Sequence, residues 1–310
     1  RTFSKHTKFS KIMKKLKIGY FADGPWSHNA FKLIIENEDI DIRFIVPRND
    51  TSDITLKKYS EEYNIDYIED VHVNSDEFYE IVKKYDCDVL VSMSYNQIFR
   101  KRILESTPMG IINCHAGKLP FYRGRNILNW ALINDEKEFG ITVHYVDEGI
   151  DTGDIILQRT YPISDKDTYK TLLERAHDDC AEILSDALKQ LCKGTNERIV
   201  QKDIHPAGFY CGIRGEGDEM IDWSLTSREI FNFIRSICSP GPKARTYVRG
   251  NLLSINSSRL IDQAPTYKST FGQLISKTEE GFLVKTGDSY IEILDYQTDG
   301  KIRVGDKLTS

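Results

Sequence analysis

Apolar and polar positions along this chain fall into two periods that alternate over the first two thirds of its length. Leu16 to Phe21 is a short apolar-rich run closed by Asp23-Gly24-Pro25, and Phe31, Leu33, Ile34 and Ile35 behind it predict a helix packed on that strand. Ile40 to Val46 reads as a second strand stopped by Pro47, and Lys57 to Tyr63 and Phe78 to Lys84 read as helices. Cys87 to Met93, Gly110 to Cys114 and Gly140 to Val146 are further strand candidates. Strands alternating with helices predict an α/β fold, a doubly wound and mostly parallel Rossmann-like sheet. In such a sheet, ligands sit beyond the carboxyl ends of the strands.

Two longer helical stretches follow, Thr168 to Cys192 and Ser227 to Cys238, the second with Ser227 as its expected N-cap. Beyond Pro240-Gly241-Pro242 the texture changes to short strand-like runs at Thr246–Val248, Gln273–Ser276, Phe282–Lys285 and Tyr290–Leu294, with a hairpin turn at Gly287-Asp288. The domain reading is therefore a disordered or vector-derived tail over 1–15, a catalytic domain over 16–205, a helical linker region over 206–244 and a small β-barrel, OB-like domain over 245–310. Met13 stands just before the first strand as a candidate natural start.

Composition narrows the class of protein. The net charge of -5 argues against a surface globally adapted to nucleic acid, although it leaves room for a local basic pocket. No apolar run is long enough to cross a bilayer, and the basic stretch before Leu16 lacks the apolar segment of a secretory signal. The six cysteines are scattered, without C-x-x-C or zinc-like spacing, which suits free thiols in a reducing cytoplasm and no metal site. Neither G-x-G-x-x-G after the first strand nor a P-loop is present, so the usual nucleotide readings of such a sheet fall away.

What remains is a polar constellation at two strand ends. Asn113-Cys114-His115 runs into Ala116-Gly117-Lys118-Leu119-Pro120-Phe121-Tyr122-Arg123-Gly124-Arg125, and His144-Tyr145-Val146-Asp147 runs into Gly149-Ile150-Asp151-Thr152-Gly153-Asp154. Adjacent strands would bring His115 and Asp151 over one crevice. The Asn113 carboxamide can donate to a developing oxyanion, the His115 imidazole can take a proton near neutral pH, and the Asp151 carboxylate can orient that imidazole. His144 reads as structural within its strand, and Cys114 as buried on the opposite side of its own.

In this order the motifs resemble the N10-formyltetrahydrofolate-dependent formyltransferases, most closely the nucleotide-linked sugar N-formyltransferases, which are related to the methionyl-tRNA enzymes. The resemblance runs from about Leu16 to the end and includes Ile221-Asp222-Trp223, Ile234-Arg235 and Pro240 to Ala244. It implies catalysis by Asn113, His115 and Asp151, with N10-formyltetrahydrofolate as donor co-substrate. It implies a pterin slot between Met93, Tyr95, Gln97 and Ile98 on one side and Val146, Asp147, Gly149 and Ile150 on the other, met mainly by main-chain groups. The implied acceptor is a nucleotide-linked amino deoxysugar such as dTDP-4-amino-4,6-dideoxyglucose, formylated for surface polysaccharide (lipopolysaccharide O-antigen) synthesis.

Arg123, Gly124, Arg125, Asn129 and Trp130 are expected near the sugar, Arg214 and Arg235 near the diphosphate, and Trp223 over the nucleotide, although the spacing of Trp223 and Phe231 also suits a core. Methionyl-tRNA is the alternative acceptor; the short, acidic Pro47–Asp53 segment argues against it, since the tRNA enzymes carry a longer basic insertion there. A folate-binding module or a hydrolase of the formyl donor is the reading from another class. The oligomeric state, a homodimer included, is left open.

Overall fold

The structure is a computed structural model that describes residues 14–310. The expected tail and the candidate start Met13 thus lie outside the described residues, apart from Lys14 and Lys15. The first unit contains β1 (Leu16–Ala22), α1 (Pro25–Ile35), β2 (Ile40–Val46), α2 (Thr55–Tyr63), β3 (Asp66–Tyr67), α3 (Asp76–Tyr85), β4 (Val89–Met93), α4 (Lys101–Leu104) and β5 (Ile111–His115). It continues through β6 (Arg123–Gly124), α5 (Ile127–Ile133), β7 (Glu138–Tyr145), β8 (Ile155–Pro162), α6 (Tyr169–Lys193), α7 (Gln201–Ile204) and β9 (Tyr210–Cys211).

Seven of these strands form one sheet in the order β3-β2-β1-β4-β5-β7-β8. The pairings from β3 through β5 are parallel, whereas β5–β7 and β7–β8 are antiparallel. β4 is buried along its whole length and β1 at all but Lys17, as expected for strands covered by helices on both faces. Gly19 in β1 is required by that packing: a Cβ there would lie 2.4 Å from the Phe44 ring.

The antiparallel β7 departs from the parallel continuation expected after β5. The connection from β5 to β7 covers residues 116–137 and contains β6 and α5. β8 has no counterpart among the predicted strands; its register with β7 slips between Val143 and His144.

α6 is 25 residues long, held by a Thr168–Thr171 capping box and ended by a left-handed Gly194. The last helix, α8 (Ser227–Ser236), is capped by Thr226 rather than Ser227. The Thr226 side chain accepts from Glu229 N and Glu229 reaches back, so the T-x-x-E pattern sets the boundary one residue earlier than expected.

The strands after α8 are β10 (Ala244–Val248), β11 (Asn251–Ile255), β12 (Ser258–Leu260), β13 (Leu274–Lys277), β14 (Phe282–Lys285), β15 (Tyr290–Ile293), β16 (Tyr296–Thr298) and β17 (Leu308–Thr309). They make two antiparallel four-stranded sheets, in the orders β16-β11-β10-β17 and β12-β15-β14-β13. The Gly287-Asp288 hairpin joins β14 and β15 as expected.

The core of this small β domain includes Ile221, Trp223, Ile230, Phe231, Ile234 and Ile237. The region read as a linker is therefore partly integral to the second core. α8 also ties back to the first unit, since the buried Asn129 side chain of α5 donates to Ser236 O at 2.6 Å.

Candidate active site

β5 and β7 pair with Asn113 opposite His144 and His115 opposite Thr142. This register sets the amide and the second imidazole side by side, with Asn113 Nδ2 3.4 Å from His144 Nε2. After β7 the chain turns back over 146–154, anchored by Val146 N to Ile111 O at 2.8 Å and by Tyr145 N to Asp154 O at 2.9 Å. Gly153 lets the loop close: a Cβ there would sit 1.8 Å from Tyr145 O.

The return places the Asp151 carboxylate between both histidines, 3.6 Å from His115 Nδ1 and 3.5 Å from His144 Nε2. Asp151 has a left-handed φ of 53° and accepts from Gly124 N at 2.9 Å. The structure thus brings Asn113, His115 and Asp151 together, by a doubling-back loop rather than by the carboxyl ends of two parallel strands. It adds His144, which sequence reasoning treated as structural.

Gln201 is a second addition. It is 2% exposed, and its Nε2 donates to Asp151 O at 2.9 Å and Gly153 O at 2.7 Å. Its Oε1 accepts from Arg123 Nη2 at 2.7 Å. Nothing in the motifs signals Gln201, which sits 50 residues from Asp151 in a four-residue helix.

Electrostatics divides the roles. The His115 ring is 9% exposed, and its Nε2 lies 2.7 Å from Tyr122 O. A carbonyl only accepts, so Nε2 carries the proton and Nδ1 keeps its lone pair in the neutral ring. Burial pushes the His115 pKa below the ordinary histidine value, against the pull of the Asp151 charge. Burial alone would raise the Asp151 carboxyl. The His115 charge, His144 and the Gly124 N–H outweigh it and hold Asp151 well below the usual carboxylate range. The resting pair is a neutral imidazole beside an ionised carboxylate, which is a base with a counter-charge ready for the proton it takes up.

A cleft of about 560 Å³ opens over this cluster. Met93, Tyr95, Gln97 and Ile98 line it, as do Val146, Asp147, Gly149 and Ile150. Several of these side chains serve the walls themselves. Gln97 donates to Val71 O and Tyr95 Oη and accepts from Val73 N, and Asp147 holds Gly149 N and Thr152 Oγ1. The main chain of both segments is thereby fixed. Trp26, Arg48, Tyr169 and Tyr210 also line the cleft, unmarked by any motif.

Gly124, Arg125 and Asn129 reach the cleft. Trp130 donates to Gly212 O at 3.0 Å and lies under the Arg214 guanidinium, 5.1 Å from its ring centre. Three expectations need correction. Trp223 is 4% exposed and donates to Thr246 Oγ1 at 3.0 Å, so it belongs to the β-domain core and covers no nucleotide. Arg235 is 4% exposed and donates to Asn232 Oδ1, Ser164 O and Asp167 O, so its charge is spent on the contact between units. Arg123 is engaged by Gln201 and Ala207 O, which makes it a support for the Asp151 loop.

Among the described residues, no group of three or more His, Cys, Asp or Glu is arranged to hold a metal ion. None of their helices is long and apolar enough to cross a membrane.

Comparison with known proteins places this arrangement. The chain matches the formyl transferase profile over residues 30–188 and the formyl transferase C-terminal domain profile over residues 215–307. A methionyl-tRNA formyltransferase of Ruminiclostridium cellulolyticum is 32% identical over 249 residues, which span 80% of this chain and 79% of that one. The N-formyltransferase from Helicobacter canadensis, solved in complex with folinic acid and dTDP-3-aminofucose, superposes with a TM-score of 0.71 at 21% identity, over 91% of this chain and 100% of its own. WlaRD, a sugar 3N-formyl transferase solved with dTDP and 5-N-formyl-THF, gives 0.69 at 22% identity, over 94% and 99%. At such identities the structural likeness speaks for the fold. Matches over both units, together with a relative aligned across four fifths of each chain, establish that this protein belongs to the formyl transferase family.

Proposed function

We propose that the protein transfers a formyl group from N10-formyltetrahydrofolate to the amine of a nucleotide-linked amino deoxysugar, such as dTDP-4-amino-4,6-dideoxyglucose. The reaction would take place in the cytoplasm and feed surface-polysaccharide synthesis of the O-antigen type. The observation that carries the reading is the convergence of Asn113, His115 and Asp151 on the floor of one cleft. Asn113 donates an N–H to the formyl oxygen as it gains charge. His115 Nδ1 accepts the proton of the attacking amine, Asp151 offsets the resulting imidazolium, and that imidazolium returns the proton to N10 as the formyl C–N10 bond of the tetrahedral adduct breaks and tetrahydrofolate leaves. The cleft volume of about 560 Å³ and its two main-chain-rich walls suit a flat pterin at one end, with Arg125 and Tyr210 beside the acceptor at the other.

The acceptor assignment draws support from solved relatives that hold dTDP or a dTDP-amino sugar. A second reading, transfer to methionyl-tRNA, draws support from the 32% identity to an enzyme of that name. Electrostatics favours the first. The connection between β2 and α2 is only eight residues, 47–54, and its single basic side chain, Arg48, is clasped by Asp50 at 2.8 and 2.9 Å. A tRNA grip needs free cations to displace counterions, and the chain's net charge is -5.

Thermal shift with dTDP, UDP and GDP against tRNA separates the two readings. Stabilisation by a nucleoside diphosphate supports the sugar acceptor. Stabilisation by tRNA alone transfers the reading to methionyl-tRNA.

A further inference from the structure

Resting on the formyl-transfer reading above, we infer that His144 is a positioning residue, one that fixes the carboxamide of Asn113 so that an N–H faces the reacting oxygen. His144 is 2% exposed. Its Nδ1 lies 2.7 Å from Tyr145 O, and a carbonyl only accepts, so Nδ1 is the protonated nitrogen. The lone pair then sits on Nε2, which faces Asn113 Nδ2 at 3.4 Å. An acceptor at that point selects the amide orientation that places the NH2 group against it. One hydrogen goes to His144, and the other is left to donate into the cleft that Asn113 lines. Without an acceptor there, the amide can turn over and offer its oxygen, and two oxygens would then face each other in the transition state.

Asp151 Oδ1, at 3.5 Å from Nε2, is an acceptor that would draw a proton onto that nitrogen, and the Tyr145 carbonyl, at the shorter 2.7 Å from Nδ1, is what holds the proton of the neutral ring on Nδ1 instead. The His115 ring stands edge-on to the His144 ring, at 6.4 Å between centroids. The two imidazoles are set by the same device. Each donates one nitrogen to a backbone carbonyl, Tyr122 O for His115 and Tyr145 O for His144, and keeps the other as an acceptor. One acceptor takes a proton from the substrate, and the other holds the residue that stabilises the oxyanion.

The test pairs kinetics with spectroscopy on the full chain. His144→Phe keeps a ring and removes the acceptor, and His144→Gln restores an oxygen near the Nε2 position. Misplacing an oxyanion donor should lower kcat by about 10- to 100-fold in His144→Phe, with both KM values held within about threefold. His144→Gln should recover kcat to within about fivefold of wild type. A His144→Phe variant with wild-type kcat, a loss carried by KM, or a His144→Gln variant as slow as His144→Phe overturns the inference. Long-range 1H–15N spectra of the unmodified protein at pH 7.5 provide a readout that needs neither turnover nor a folded variant. A His144 ring with its proton on Nδ1 and none on Nε2 is the expected result, and a proton on Nε2 overturns it. If wild type releases no tetrahydrofolate, the formyl-transfer reading fails, while the tautomer result still stands or falls by itself.

Discussion

Replacing Asp151 with asparagine removes one negative charge while keeping the side chain's shape and its ability to accept from Gly124 N. The carboxylate is 3.6 Å from His115 Nδ1 and its side chain is only 14% exposed. With an effective dielectric constant of about 20, its attraction to a protonated His115 is about 4–5 kcal/mol. The remaining carboxamide dipole recovers part of this, so about 3–4 kcal/mol is lost when the imidazolium forms, equivalent to about 10²- to 10³-fold in kcat.

The pH profile carries a sign as well. Wild-type kcat falls as pH drops through the His115 pKa, which burial depresses and the Asp151 charge partly restores. Removing that charge lowers the pKa further, so the acid limb of Asp151→Asn moves to lower pH while its plateau drops. Steady-state release of tetrahydrofolate at saturating donor and acceptor measures both. A plateau within about tenfold of wild type, or an acid limb that moves upward, refutes the assignment of Asp151 as the counter-charge of His115.

Asn113→Ala should lower kcat by about 10²- to 10³-fold, with KM for donor and acceptor nearly unchanged, as read in the same assay. Gly117→Ala places a Cβ 2.4 Å from His115 Nε2 and 2.5 Å from Tyr122 O; it should abolish turnover while circular dichroism stays native. Trp223→Phe deletes the bond to Thr246 within the β-domain core, so the urea midpoint should fall while the nucleotide-sugar KM holds; a rise in that KM would restore Trp223 to the binding site. The Asp135 carboxyl is lowered to about 2, chiefly by the hydrogen bond from Arg228. A depressed carboxyl contributes stability above its unfolded pKa and loses it as pH falls, so Asp135→Asn should flatten the wild-type decline in urea midpoint between about pH 4 and 2.

The sequence made β1 and β4 legible as mainly apolar runs, and β2 by the Ile40, Ile42 and Phe44 to Val46 positions that flank Asp41 and Arg43. β8 was not, since Gln158, Arg159 and Thr160 in its middle are polar and half-buried or exposed, and strand direction leaves no local mark at all. The convergence of Asn113, His115 and Asp151 was legible because these residues stand within two short motifs. Gln201 was not, since its place comes from the Ile155–Ile199 bridge, which brings the segment after α6 against the end of the Asp151 loop. Trp223 and Arg235 misled for a related reason. An indole and a guanidinium look like ligand contacts in a one-dimensional pattern, and only burial with satisfied partners identifies them as structure. His144 went the other way, because strand position suggested a core histidine and register alone placed it opposite Asn113.

The most direct test of the account is mass spectrometry of dTDP-4-amino-4,6-dideoxyglucose and related nucleotide amino sugars incubated with the protein and N10-formyltetrahydrofolate. The account predicts a gain of one formyl group on the sugar amine, matched mole for mole by tetrahydrofolate and lost in Asn113→Ala. Unchanged nucleotide sugars beside formylated methionyl-tRNA, or formate released with no amine present, would contradict it.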